Sequence, residues 1–158
     1  MMNPSAISSL LVAIFCFALA LFLYKNCRNK VHLYWLLFNL VVGFWALFSA
    51  FAKMTTSAEL SIIYWRWAYF FCFFLFSLFY HFIHVFCRVK SRIHLYVIYS
   101  FLIVFCLPTL TTNFMVNSVF YVFDSFYYNQ GTFGFSLFMF YLVYILSCAF
   151  PTLFKYVK

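Results

Sequence analysis

Acidic residues are almost missing: the 158-residue chain holds two, Glu59 and Asp124, against ten lysines and arginines. Charged residues of either sign make up 8% of it, hydrophobic ones reach 68%, and mean hydropathy is +1.03. That balance excludes a water-soluble domain of ordinary make-up. Two lone acids leave no paired carboxylates for acid–base work, and no Ser/His constellation or H-E-x-x-H motif replaces them. Three glycines in the whole chain leave no glycine-rich nucleotide loop. The six cysteines (Cys16, Cys27, Cys72, Cys87, Cys106, Cys148) contain no C-x-x-C pair, and all but Cys27 fall within apolar runs. Neither a zinc site nor a disulfide framework is indicated, so they read as small buried hydrophobes. The chain is expected to be no enzyme and to carry no metal or other cofactor.

What is abundant is apolar sequence in long runs. About 20 apolar residues in a helix cross a bilayer core of roughly 30 Å. The third run, Ser61 to Cys87, exceeds that minimum with a single formal charge, Arg66. Tyr64, Trp65 and Trp67 form an aromatic belt at its start, and Arg88, Lys90 and Arg92 follow its end. The first run, residues 6–24, has an A-x-A site at Ala18-Leu19-Ala20, as a signal peptide would. Yet no positive charge precedes it and the apolar stretch continues past Ala20, so an uncleaved helix is expected. Bulky Phe15 before Cys16 argues against a lipoprotein signal. The second run, 32–52, carries Asn39, Gly43, Ala46 and Ala50 on one helical face, small enough for close helix contact. The fourth and fifth runs are 93–110 and 135–154. The expected fold is therefore all-α: one integral membrane domain over 1–158, with about five transmembrane helices.

Connections and charges orient that bundle. Lys53 to Leu60 reads as a short outer loop, with Thr56 and Glu59 at capping-box spacing before the third helix. Thr111 to Gly134 is the longest connection, rich in aromatics, and suits either a cap over a cavity or a place in the headgroup layer. Lys25, Arg28, Lys30, Arg88, Lys90, Arg92, Lys155 and Lys158 all fall on one side, which the positive-inside rule makes cytoplasmic. Lys53 falls outside and Arg66 is embedded. The N-terminus is thus expected outside and the C-terminus inside, in a cell membrane, a bacterial inner membrane by this reading. The net charge of +8 belongs to this pattern and does not indicate nucleic acid; the expected partner is the lipid bilayer.

Four polar residues within the runs are the candidate ligand-binding positions. Asn39 can hydrogen-bond across a helix contact, as a structural or a ligand-binding group. Arg66 lies one turn inside the outer end and can snorkel between Trp65 and Trp67. His81 and His84, three apart near the inner end, suit a structural pair or two ligands of a metal or haem, but no third ligand stands at a clear spacing.

The stretch FNLVVGFWALFSAFAKMTTSAELSIIYWRWAYFFCFFLFSLFYHFIHVF resembles the N-terminal seven-helix membrane region of bacterial histidine kinases and related signalling proteins. The shared features are Asn39 in helix two, the aromatic-Arg start of helix three and His81-Phe82 before the basic loop. YYNQGTFG, Tyr127 to Gly134, resembles the segment before that family's fifth helix. The likeness covers roughly residues 20–155. The family has two further helices and cytoplasmic output domains. His32, His81, His84 and His94 are followed by Leu, Phe, Val and Leu, so no phospho-acceptor box is present. The resemblance implies a truncated or stand-alone sensory input module, working with a cytoplasmic signalling domain or partner, or as a homodimer. A small transporter or channel subunit is the alternative, with Arg66 and Asn39 as its candidate polar groups.

Overall fold

A computed structural model describes residues 3–156. Five helices, α1 (Pro4–Lys25), α2 (Lys30–Met54), α3 (Ala58–Phe86), α4 (Ile93–Thr111) and α5 (Thr132–Tyr156), are each long and apolar enough to cross a membrane. Lys158, counted above with the basic residues, lies outside the described residues. Polar residues at the ends of the runs set where the helices start. Asn3 accepts from the Ser5 amide with Pro4 in the first turn, and Asn29 accepts from the His32 amide at 2.9 Å. The capping box expected at Thr56 and Glu59 is displaced by one residue. Ser57 caps α3, accepting from the Leu60 amide at 3.4 Å, while the Thr55 hydroxyl accepts from Ser57 N at 3.3 Å. That local bond turns the chain one residue later and puts Leu60, not Glu59, at the third helical position.

α3 is the hub. It packs against α2, α4 and α5, whereas α1 packs on α2 alone among the main helix contacts. The α1–α2 seam is built from small residues: Ala6, Ala13 and Ala20 at seven-residue spacing face a stripe of Asn39, Gly43, Ala46 and Ala50. The α2–α3 seam is aromatic, with Phe48 stacked on Trp67 and Phe71 at 5.7 and 5.6 Å. Around α3, the side chains of Phe73, Tyr80, Ile98, Tyr141 and Ile145 are fully buried. Leu11, Phe15, Phe22, Ile103, Leu107 and Phe140 point outward and stay exposed. An apolar perimeter around a close-packed centre suits lipid on every side; the chain is a multi-pass membrane protein.

The long connection before α5, expected as a loop, forms an antiparallel hairpin of β1 (Val116–Val122) and β2 (Ser125–Gln130). Its two-residue turn, Phe123 and Asp124, has φ of 49° and 56°, the doubly left-handed geometry that matches strand twist. The hairpin lies on the bundle: Met115, Val116 and Ser125 are fully buried, and the Trp65 indole donates to the Phe126 carbonyl at 3.3 Å. The Asn3 amide donates to the Phe123 carbonyl, which ties the start of α1 to the hairpin tip. We call this side the hairpin end. The opposite side, with Lys25, Lys30, Arg88 and Lys155, is the basic end.

Candidate functional site

Of the candidate polar residues, Arg66 lies at the hairpin end, His81 and His84 at the basic end, and Asn39 within the α1–α2 seam between them. Asn39 is buried, but its amide donates to the Trp35 carbonyl of its own helix at 2.7 Å and does not reach across the contact. The neighbouring small residues bring α1 so close that an in-helix bond satisfies the side chain without spreading the seam. Arg66 does not rest free between the tryptophans. Its guanidinium Nη2 donates to Asn113 Oδ1 at 2.6 Å, which holds α3 to the base of the hairpin, while Nε has no partner.

His81 and His84 do come together, at the basic end, with ring centroids 6.3 Å apart. His81 stacks on Tyr34 of α2 at 3.9 Å, and its Nδ1 pairs with the Tyr99 hydroxyl of α4 at 2.8 Å. His84 is buried, and its Nε2 contacts the Ser91 carbonyl at 2.8 Å. A carbonyl only accepts, so the proton of His84 sits on Nε2. His84 also carries the end of α3: Val89 N donates to the His84 carbonyl and Arg88 N to Val85, with Arg88 left-handed at φ 53°. This is a Schellman stop built on arginine where glycine is usual. Among the described residues no third His, Cys, Asp or Glu joins the two histidines in a metal set. They line a cavity of about 670 Å³ together with Lys30, Arg88, Lys90 and Arg92, and among the described residues no carboxylate borders it.

A second cavity, of about 400 Å³, lies at the hairpin end between α1, α2, α3, α5 and β2. Its walls are largely aromatic: Trp45, Trp65, Tyr69, Tyr128, Phe135 and Phe138. From the aromatic connection Tyr128 borders this cavity, its ring 4.6 Å from that of Trp65, while Phe120, Tyr121 and Phe123 stay exposed. One polar corner interrupts the apolar lining. Lys53 belongs to the last turn of α2, not to a loop, and its ammonium donates to Ser9 Oγ at 3.0 Å and to the Ser5 carbonyl at 3.4 Å. It stands 5.9 Å from the Trp65 ring centroid. One turn back, the Ser49 hydroxyl is buried without a hydrogen-bond partner among the described residues.

Sequence reasoning missed this corner, although its signal was present. Ser49 and Lys53 extend by one turn the α2 face marked by Asn39, Gly43, Ala46 and Ala50. Between the cavities α3 runs through packed core: Phe73, Ser77 and Tyr80 are buried, and Ser77 Oγ pairs with the Tyr141 hydroxyl at 2.5 Å. Compared with protein-family models, curated proteins and solved structures, the chain matches none.

Proposed function

We propose that the chain is a membrane-embedded input module of a signal-transduction protein, with the hairpin end outside and the basic end in the cytoplasm. One observation carries the reading: a single helix, α3, lines a cavity at each end of the bundle. Trp65, Ala68 and Tyr69 border the upper one; His81, His84 and Val85, about four turns on, border the lower. An occupant of the first cavity would bear on α1, α2, α5 and the hairpin at once. Any displacement of α3 would then reach the Schellman turn that His84 and Arg88 build at its other end. Signalling of this kind requires two packings whose balance the stimulus shifts. The orientation follows from charge, since Lys/Arg cluster at one end while Glu59 and Asp124 sit at the other. A cytoplasmic output domain, a separate partner or a second copy of the chain would read the basic end. The membrane would be a bacterial inner membrane.

The test is amide exchange at the basic turn when the distant cavity is filled. Ser49→Leu puts apolar volume into the hairpin-end cavity, and exchange at residues 87–92 is expected to change at least threefold in the purified protein. Unchanged exchange there, with α3 otherwise protected as in the parent, would remove the coupling. Solute flux through the purified chain in liposomes would support a transporter instead.

A further inference from the structure

We infer that the hairpin-end cavity binds a monocarboxylate with an apolar body, such as a single-chain or aromatic acid. Its volume of about 400 Å³ lies in the range of small-molecule sites, roughly 300–1,000 Å³. Such sites pair apolar walls with a few placed polar groups, and the corner formed by Lys53 and Ser49 is that set.

The charge balance selects the ligand. Among the described residues no carboxylate borders the cavity: Glu59 lies in the first turn of α3 and Asp124 in the hairpin turn. Lys53 therefore stands in an aromatic, partly buried setting with neutral acceptors only, Ser9 Oγ and the Ser5 carbonyl. An ammonium has three donors, so one remains for a ligand. Beside it, Ser49 Oγ is buried without a partner among the described residues and has a proton to donate. Two donors and one positive charge at the head of an apolar chamber match one carboxylate, which accepts at both oxygens. A phosphate monoester brings a charge of about −1.5 to −2, which one cation in a low-dielectric site leaves uncompensated. Trp65 and Tyr128 would pack the apolar body.

This assignment names the stimulus class for the input reading and rests on it for the consequence of binding, though binding itself is measured separately. The probe is 12-bromododecanoic acid, whose bromine quenches tryptophan on contact; Trp45 and Trp65 both line the cavity. Protein in phosphatidylcholine nanodiscs is titrated with the acid, its methyl ester and 12-bromododecyl phosphate. The acid is expected to quench saturably, with a Kd at least tenfold below those of ester and phosphate. Lys53→Gln should weaken it at least tenfold, Lys53→Arg less than threefold, and Ser49→Ala about threefold. Equal affinities for acid and ester, or full affinity in a folded Lys53→Gln protein, would overturn the proposal. Should Lys53→Gln fail to fold, full affinity in Ser49→Ala would do the same. Tighter binding of the phosphate would overturn the carboxylate assignment. Saturable, Lys53-dependent binding that leaves exchange at residues 87–92 unchanged would keep the site and remove the input reading.

Discussion

Gly134→Ala is expected to destabilise the protein by about 3 kcal/mol or more, a large effect for one added methyl group. Gly134 is buried in the first turn of α5, where the chain leaves the hairpin. A Cβ there would fall on the Phe114 carbonyl oxygen, 2.7 Å from its carbon and 3.1 Å from Met115 Sδ. The obstacle is backbone and cannot rotate aside. It is also fixed from the other direction, because Gly131 N donates to the Met115 carbonyl at 3.0 Å. Relief would require pulling α5 from the base of the hairpin and exposing Met115 and Val116, both fully buried. Thermal unfolding in detergent checks this. Ser136→Ala, at an exposed position in the next turn, is expected to melt within a degree or two of the parent. Equal melting of Gly134→Ala would show that α5 does not press on residues 114–115.

Gly43→Leu is expected to cost about 2–3 kcal/mol and to loosen α1 from α2, while Leu40→Ile is tolerated. A Cβ on Gly43 would stand 2.8 Å from Phe17 Cε1, so even one methyl forces the ring to move. A leucine side chain has nowhere to go between the two backbones. The Phe17 ring also packs edge-on against Phe44 at 5.2 Å, and displacing it disturbs a second contact. Because α1 is held chiefly by α2, the expected sign of failure is early proteolysis of α1 with α3–α5 still protected. Uniform melting of both variants would remove the case for a tight seam.

The five helices were legible because the hydrocarbon layer dictates how long an apolar run must be, and few charges interrupt these runs. The starts of α1, α2 and α3 lie two or three residues before the runs, since Asn3, Asn29 and Ser57 are polar caps that apolar counting ignores. The stripe from Asn39 to Ala50 was legible for the same periodic reason, and it is buried. The hairpin was not. Phe123-Asp124 lacks the Asn-Gly signal of its turn type, and the strands do not alternate, since β1 reads VNSVFYV. Their pairing is held by docking on Trp65, a contact that spans 61 positions. The site was legible in part. Three-residue spacing placed His81 beside His84, but their partners Tyr34, Tyr99 and Ser91 come from other elements. Lys53 was hidden by convention: a lysine after an apolar run reads as the start of a loop, whereas here it ends the buried face of α2.

The central claim, a bundle that crosses the membrane with its hairpin and basic ends on opposite faces, is tested by two thiols. Cys27, an exposed native cysteine, lies between α1 and α2 at the basic end. Ser118→Cys adds a thiol on β1, three helices further along the chain. With a membrane-impermeant maleimide on intact cells, Ser118→Cys is predicted to label at once and Cys27 only after permeabilisation. Labelling of both from the same side would contradict the account.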